Sequence, residues 1–366
     1  MVTFLPSRPG RLADVPSFDR GIGGAESNVA CVLAAAGHTT RWISRVGADG
    51  FGDHLVEAIG GYGVDVSHVR RDPARPTGVY FRTAGDRATD AHEVAYYRAG
   101  SAASAMTAAD LDLEAVRAGR VLHLSGITPA LSADCLTLIR ELTAPHPTRP
   151  LISFDVNYRP ALWRDTHGPE ILLDLARGAD LVFVGEDEAE EAWGITGGPS
   201  AIREALPEPE LLVVKQGARG AAALPALRGQ SCLPQRGYPQ GGTGGRNGTP
   251  QAPGSATTPR PAPAQGTYEP ALRVDVVATT GAGDAFAAGF LSATLRNLPL
   301  RDRLRHGHLM AAATLTTPGD LAAPPPRPLA DRLVALDDTA WGKLRLGPGW
   351  TQADEDERAE KEARTP

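Results

Sequence analysis

Cysteine is scarce. Cys31, Cys135 and Cys232 are the three in a chain of 366 residues, odd in number, far apart and without metal-like pairing. That excludes a disulfide framework and suits a reducing compartment, with three unreactive thiols as the plain reading. Nor does any apolar run reach the length that spans a bilayer, and the start, Met1-Val2-Thr3-Phe4-Leu5-Pro6, lacks the apolar core of a signal peptide. The expected location is the cytoplasm, with no membrane partner. Positive charge is not in excess either. The formal net charge of -6 gives none of the basic field that nucleic-acid binding needs. Two nucleotide signatures are also missing: there is no Gly-x-x-x-x-Gly-Lys-Ser/Thr loop, and no early strand followed by Gly-x-Gly-x-x-Gly, which argues against a dinucleotide fold.

What the chain does contain is apolar residue in quantity, 42% of the total, enough for one large α/β domain or two smaller ones. Short, near-continuous apolar runs at 121–124, 151–154, 181–184 and 211–214 alternate with helical patterns around 136–142, 171–176 and 186–193. Strands buried on both faces with helices between them predict a mostly parallel sheet flanked by helices. Residues 41–46 read as a further strand and 51–59 as a helix closed by Gly60 and Gly61. Residues 78–82 and 93–98 alternate and are rich in β-formers, predicting a hairpin across 84–90; inserted between βα units, it is a candidate lid over a site. Lid strands are expected within about 1–24 and 76–100. Helices over 301–316 and 328–336 complete the domain, 1–336. From 239 to 267 no side chain is apolar and larger than Ala or Pro, so a disordered insertion is expected over about 226–268. Residues 337–366 read as a polar C-terminal tail.

Ligands of parallel sheets gather at the carboxyl ends of the strands. That rule puts Asp155-Val156-Asn157-Tyr158-Arg159, Gly185-Glu186-Asp187-Glu188 and Lys215-Gln216-Gly217-Ala218-Arg219-Gly220 along one rim. The stretch Ala278-Thr279-Thr280-Gly281-Ala282-Gly283-Asp284 follows an extended run, 272–277, and opens a helix. Gly-Ala-Gly at a helix start leaves backbone N–H groups unpaired at the positive end of the macrodipole, where an anion binds. Asp284 there either compensates the dipole or takes a proton from an attacking hydroxyl. Near the start, Gly23-Gly24-Ala25-Glu26-Ser27-Asn28 leads into a helix stopped by Gly37. The glycine pair is a tight turn or a place where a ligand meets backbone, and Asn28 offers both a donor and an acceptor. An anion turn, an acid and a glycine-rich rim can supply the positioning and charge neutralisation that phosphoryl transfer requires. Arg98 and Arg159 add an argument about substrate: a neutral sugar needs no cation, whereas a carboxylate is bound by a guanidinium fork. The competing readings are a surface salt bridge for each arginine, strand packing for Tyr80 and Tyr96, dipole compensation for Glu188 and a solvated strand end for Lys215.

Gly24-Ala25-Glu26-Ser27-Asn28 and Thr279-Thr280-Gly281-Ala282-Gly283-Asp284-Ala285-Phe286 resemble the two signatures of the ribokinase-like (PfkB) carbohydrate kinases. Tyr96 to Ser104, Leu122-His123-Leu124-Ser125-Gly126-Ile127 and Asp155 to Trp163 are similar to the branch acting on 2-keto-3-deoxygluconate. The resemblance implies a three-layer sandwich with a small β lid, ATP and Mg²⁺ as cofactors, a small-molecule sugar acid as substrate, and a homo-oligomer. It also implies Asp284 as general base and Gly281, Ala282 and Gly283 as the anion hole. Asn157, Lys215, Gly217 and Gly220 fall to the nucleotide, and Glu188 to Mg²⁺ through water. Gly24, Asn28, Tyr80, Tyr96, Arg98 and Arg159 fall to the sugar-acid pocket. The alternatives are a kinase of fructose, ribose or a nucleoside, or a sugar-binding homologue without turnover. Three positions depart from the pattern. Ala278 stands where an Asp tied to monovalent-cation activation is usual, so that cation does not carry over. Gly185 replaces a usual polar residue, and His308 a usual Asn near the adenine. The family's first strand is expected ahead of Met1.

Overall fold

The structure, a computed structural model, describes residues 1–83, 93–163, 167–226 and 266–352. In chain order its first part comprises β1 (Val2–Pro6), β2 (Phe18–Ile22), α1 (Ala25–Ala35), β3 (Arg45–Gly47), α2 (Gly50–Gly61), β4 (Arg70–Asp72), β5 (Val79–Arg82) and β6 (Val94–Tyr97). Then come α3 (Leu113–Arg117), β7 (Val121–Ser125), α4 (Ala133–Thr143), β8 (Leu151–Asp155), α5 (Gly168–Arg177), β9 (Leu181–Gly185), α6 (Glu186–Trp193), α7 (Gly198–Ala205) and β10 (Leu211–Lys215). The chain closes with β11 (Gly220–Pro225), β12 (Thr267–Pro270), β13 (Arg273–Val274), α8 (Ala282–Leu295), α9 (Leu300–Leu315), α10 (Arg327–Val334), α11 (Asp338–Lys343) and β14 (Arg345–Leu346).

The four apolar runs form the centre of a six-stranded sheet of order β12-β11-β10-β9-β8-β7. β7 to β10 are parallel, and β11 and β12 add antiparallel. Because side chains alternate along a strand, each run feeds two cores. Leu181, Phe183, Leu211 and Val213 pack with α1, α8 and α9. Val182, Val184, Leu212 and Val214 pack with α4 to α7 on the other face. Burying each such side chain contributes roughly 1.5–3 kcal/mol, which is why the runs are apolar throughout. This is the three-layer α/β sandwich.

The hairpin forms a second sheet, order β2-β1-β5-β6, in which β1 pairs parallel to β5. Phe4 stacks on Phe81 at 4.6 Å, and Phe18 meets Phe81 edge-on at 5.2 Å. The alternation that puts Phe81 in this aromatic cluster turns Tyr80 and Arg82 to the opposite face, where both are buried. Val2–Pro6 thus belongs to the lid sheet. The outer edge of β7 has no partner among the described strands, and a cavity of about 670 Å³ bordered by Met1, Trp42, Met106 and Leu124 adjoins it. Among the described residues no helix is long and apolar enough to cross a membrane.

Four expectations are corrected. Residues 41–46 are mostly irregular, because Trp42 fills a core gap instead of joining a ladder, and only Arg45–Gly47 is strand. Only Arg273–Val274 of 272–277 is strand. The insertion is shorter at its end than 268: Thr267 and Tyr268 are in β12, paired with β11. The tail is partly folded, for Trp341 is buried, its ring stacks under the Arg305 guanidinium at 4.6 Å, and β14 pairs with β13. The remainder of the tail, most of the insertion and the 84–90 connection lie outside the described residues.

Candidate active site

The parallel register brings Asp155, Gly185 and Lys215 to one rim, with Asp155 beside Phe183 and Lys215 beside Gly185. Lys215 Nζ lies 3.0 Å from both carboxylate oxygens of Asp155. Burial works against the ammonium, but Asp155, Glu188 and Asp284 outweigh it and hold its pKa above the usual lysine range. Glu188 sits in the first turn of α6, where its Oε2 accepts the Gly185 N–H at 2.7 Å. Burial raises its pKa, against the pull of Lys215. Its Oε1 is 3.5 Å from Arg159 Nη1. Asn157, just past the rim, has φ 42°, a conformation that costs a non-glycine residue energy and that clusters at functional sites.

Gly281 caps α8 with φ 79° and no side-chain cap. A Cβ there would stand 2.2 Å from the Asp320 carbonyl oxygen, so the turn admits only glycine. Ala282 and Gly283 then begin the helix, and a Cβ on Gly283 would be 3.7 Å from Lys215 Nζ, which places the ammonium over the first turn. Asp284 follows. Asn28, on α1, donates from Nδ2 to Asp284 Oδ2 at 2.8 Å, while its own Oδ1 is buried without a partner. Burial pushes the Asp284 carboxyl up to about 7; Asp155 and Asp320 add to the rise, and Asn28 and Lys215 oppose it. A carboxylate with that pKa is suited to accept a proton near neutral pH.

On the lid side, Arg98 is buried, with its guanidinium 4.4 Å above the Tyr96 ring. Burial first, then the neighbouring charge of Arg159, lower its pKa. No carboxylate pairs with it among the described residues, and its Nε lacks a hydrogen-bond partner. Tyr80 lies 5.5 Å from Tyr96, but its hydroxyl donates to Asp320 Oδ2. Gly24 caps α1 with φ 145°.

The structure therefore gathers Asp284, the Gly281–Gly283 turn, Asn28, Lys215 and Glu188 around one rim, with Arg159 joined through Glu188. Gly217 opens the turn after β10 with φ 56° and nothing within 4 Å of a Cβ. At Gly220 a Cβ would be 2.3 Å from the Glu269 carbonyl, so the β11–β12 pairing requires glycine there. His308 packs on Phe286 and meets the Glu269 carbonyl at 3.1 Å, with burial lowering its pKa to about 4. Two residues had been given no role, Asp155 and Asp320. The first ends an apolar strand at the rim and is legible by that rule; nothing local marks the second. Among the described residues no three His, Cys, Asp or Glu side chains converge as a metal site.

A profile described as pfkB family carbohydrate kinase matches residues 2–235 and 263–327. A 2-dehydro-3-deoxygluconokinase of Bacillus subtilis (strain 168) is 32% identical, covering 89% of this chain and 90% of that protein. The probable chloroplastic fructokinase-6 of Arabidopsis thaliana is 28% identical over 86% of this chain and 73% of its own length. Among solved structures, a PfkB protein from Polaromonas sp. JS666 superposes with a TM-score of 0.70 at 29% identity, covering 92% of this chain and 97% of that one.

Proposed function

We propose that this chain, which belongs to the pfkB family of carbohydrate kinases, phosphorylates a sugar acid of the 2-keto-3-deoxygluconate type from ATP, giving its 6-phosphate. The observation that carries the acid is Arg98, a buried guanidinium without a carboxylate partner among the described residues and with Arg159 close enough to perturb it. The Glu26 carboxylate favours the Arg98 charge only from a distance, without an ion pair, and an incompletely compensated buried charge is costly, so such a site favours an anionic ligand.

In this reading Asp284 accepts the proton of the attacking hydroxyl. As the new O–P bond forms and the bond to the nucleotide's leaving phosphate breaks, the N–H groups of the Gly281–Gly283 turn and the Lys215 ammonium balance the charge on the transferred group. Asn28 orients Asp284. Asn157, Gly217 and Gly220 belong to the nucleotide side, and Gly24, Tyr80 and Tyr96 to the sugar side. Glu188 would hold Mg²⁺ through water; when bound, the ion neutralises phosphate charge.

A coupled assay with ATP and Mg²⁺ on a panel of gluconate-type keto-acids, fructose and ribose tests the substrate class. The expected result is turnover of a keto-acid well above any neutral sugar. Arg98→Met should then raise KM for the acid by about 10–100-fold, the magnitude of a charge-assisted contact, with little change for neutral sugars. A preference for fructose, which the similarity to fructokinases allows, would overturn the acid reading.

A further inference from the structure

We propose that Asp320 is a positioning residue that locks the lid strand β5 to the anion turn at the start of α8, so that the sugar side and the phosphoryl side of the site are set by one group. The proposal rests on the kinase reading above for its catalytic consequence. Asp320 lies in the loop that leaves α9 and is 4% exposed. Its Oδ2 accepts the Tyr80 hydroxyl, and its Oδ1 is 3.2 Å from Arg82 Nη2. Arg82 is itself buried and donates from Nη2 to the Pro318 carbonyl at 2.7 Å, gripping the same loop a second time.

The backbone of the same residue meets the anion turn. The Asp320 carbonyl oxygen stands where a Gly281 side chain would begin, 2.2 Å from a Cβ at that position. The loop ahead of α1 is drawn in as well, since a Cβ on Gly23 would be 2.1 Å from the Tyr80 hydroxyl and 2.8 Å from Asp320 Oδ2. Lid, anion turn and the approach to Asn28 thus converge on one residue, the first and last through its carboxylate and the turn through its carbonyl. A buried arginine and a buried carboxylate hold each other only while both are present, which makes the contact a lock and not a surface decoration. The charge of Asp320 also helps to raise the Asp284 pKa. The groups around Asp284 are Asn28 of α1, Asp155 at the end of β8, Lys215 at the end of β10 and Asp320 itself.

The test is hydrogen exchange by mass spectrometry on the full chain, wild type against Asp320→Asn, read beside kinetics. The expected result is exchange of the segment around Gly281 to Ala285 faster by about tenfold or more, the scale of a lost hydrogen bond to a charged group, with β9 unchanged. In kinetics kcat should fall by about tenfold or more on the same basis while KM for ATP stays within about twofold. The acidic limb of kcat/KM should move to lower pH, because one carboxylate whose charge raises the Asp284 pKa is gone. Unchanged exchange at the turn, or uniform acceleration over the whole sheet, would overturn the proposal. Should Asp320→Asn fail to fold, Tyr80→Phe, which removes the hydroxyl contact alone, decides the same question by the same two exchange patterns. A wild type that phosphorylates no sugar would sink the kinase reading, and the exchange comparison would still decide the role of Asp320.

Discussion

At the scale of the residue, Asp284 joins catalysis to stability. Its carboxyl is pushed from the usual 3.8 up to about 7, chiefly by burial. If it is the base, activity is lost as pH falls, and kcat/KM should show an acidic limb with an apparent pKa near 7; a limb near pH 4 would contradict the assignment. The folded state holds this proton more tightly than the unfolded chain does. Stability from this group is therefore present below about pH 4 and is lost as pH rises to about 7. Asp284→Asn removes that penalty. We expect the variant to lose about 10²- to 10⁴-fold in kcat, and its thermal midpoint to exceed that of wild type at pH 8 while the two converge near pH 4. The same residue shows how far a sequence can be read. Its place in a helix start after Gly-Ala-Gly is local, and so is visible. That Asn28 reaches it from 256 positions away, or that the charge of Asp320 acts on it, is not.

At the scale of the element, the C-terminal segment behaves unlike its composition. Residues 337–366 taken together are rich in charge, yet within them α11 and β14 close the edge near β13 because one aromatic residue anchors them. Trp341 fills a gap beside Leu309 and Val334, its ring under Arg305 and its Nε1 donating to the Pro270 carbonyl at 3.1 Å. Trp341→Ala should destabilise the protein by about 3–5 kcal/mol, seen in urea unfolding; a loss below about 1 kcal/mol would show the segment to be dispensable. Charge counting missed this, since a single buried ring outweighs many solvated side chains in what it contributes.

At the scale of the whole molecule, the chain is divided between one large sheet and a small lid sheet, and the site lies where they approach. The strands flanking residues 227–265 are antiparallel neighbours, with Ala223 opposite Thr267. A short turn can join them. Replacing residues 227–265 by a four-residue Gly-rich link should leave kcat within about twofold, since loop-closure entropy changes slowly with length; a large loss of activity would give that stretch a role. The sheet itself was legible, because strands buried on both faces must be apolar throughout and helices must alternate with a 3.6 period. The hairpin was legible for the same kind of reason, in its period of two.

What the sequence by itself determined was every feature that repeats locally: the four parallel strands, their helices, the glycine turns, and the rim on which Asp155, Glu188, Lys215 and Asp284 fall. What only the tertiary structure decided was which side chains meet across that rim. Arg98 is left without a carboxylate among the described residues and Arg82 is given one, although both are arginines in or next to lid strands. Tyr80 spends its hydroxyl on Asp320, and Gly220 serves a neighbouring strand. Those outcomes depend on long-range packing, where burial and charge pairing are settled by neighbours far off in the chain.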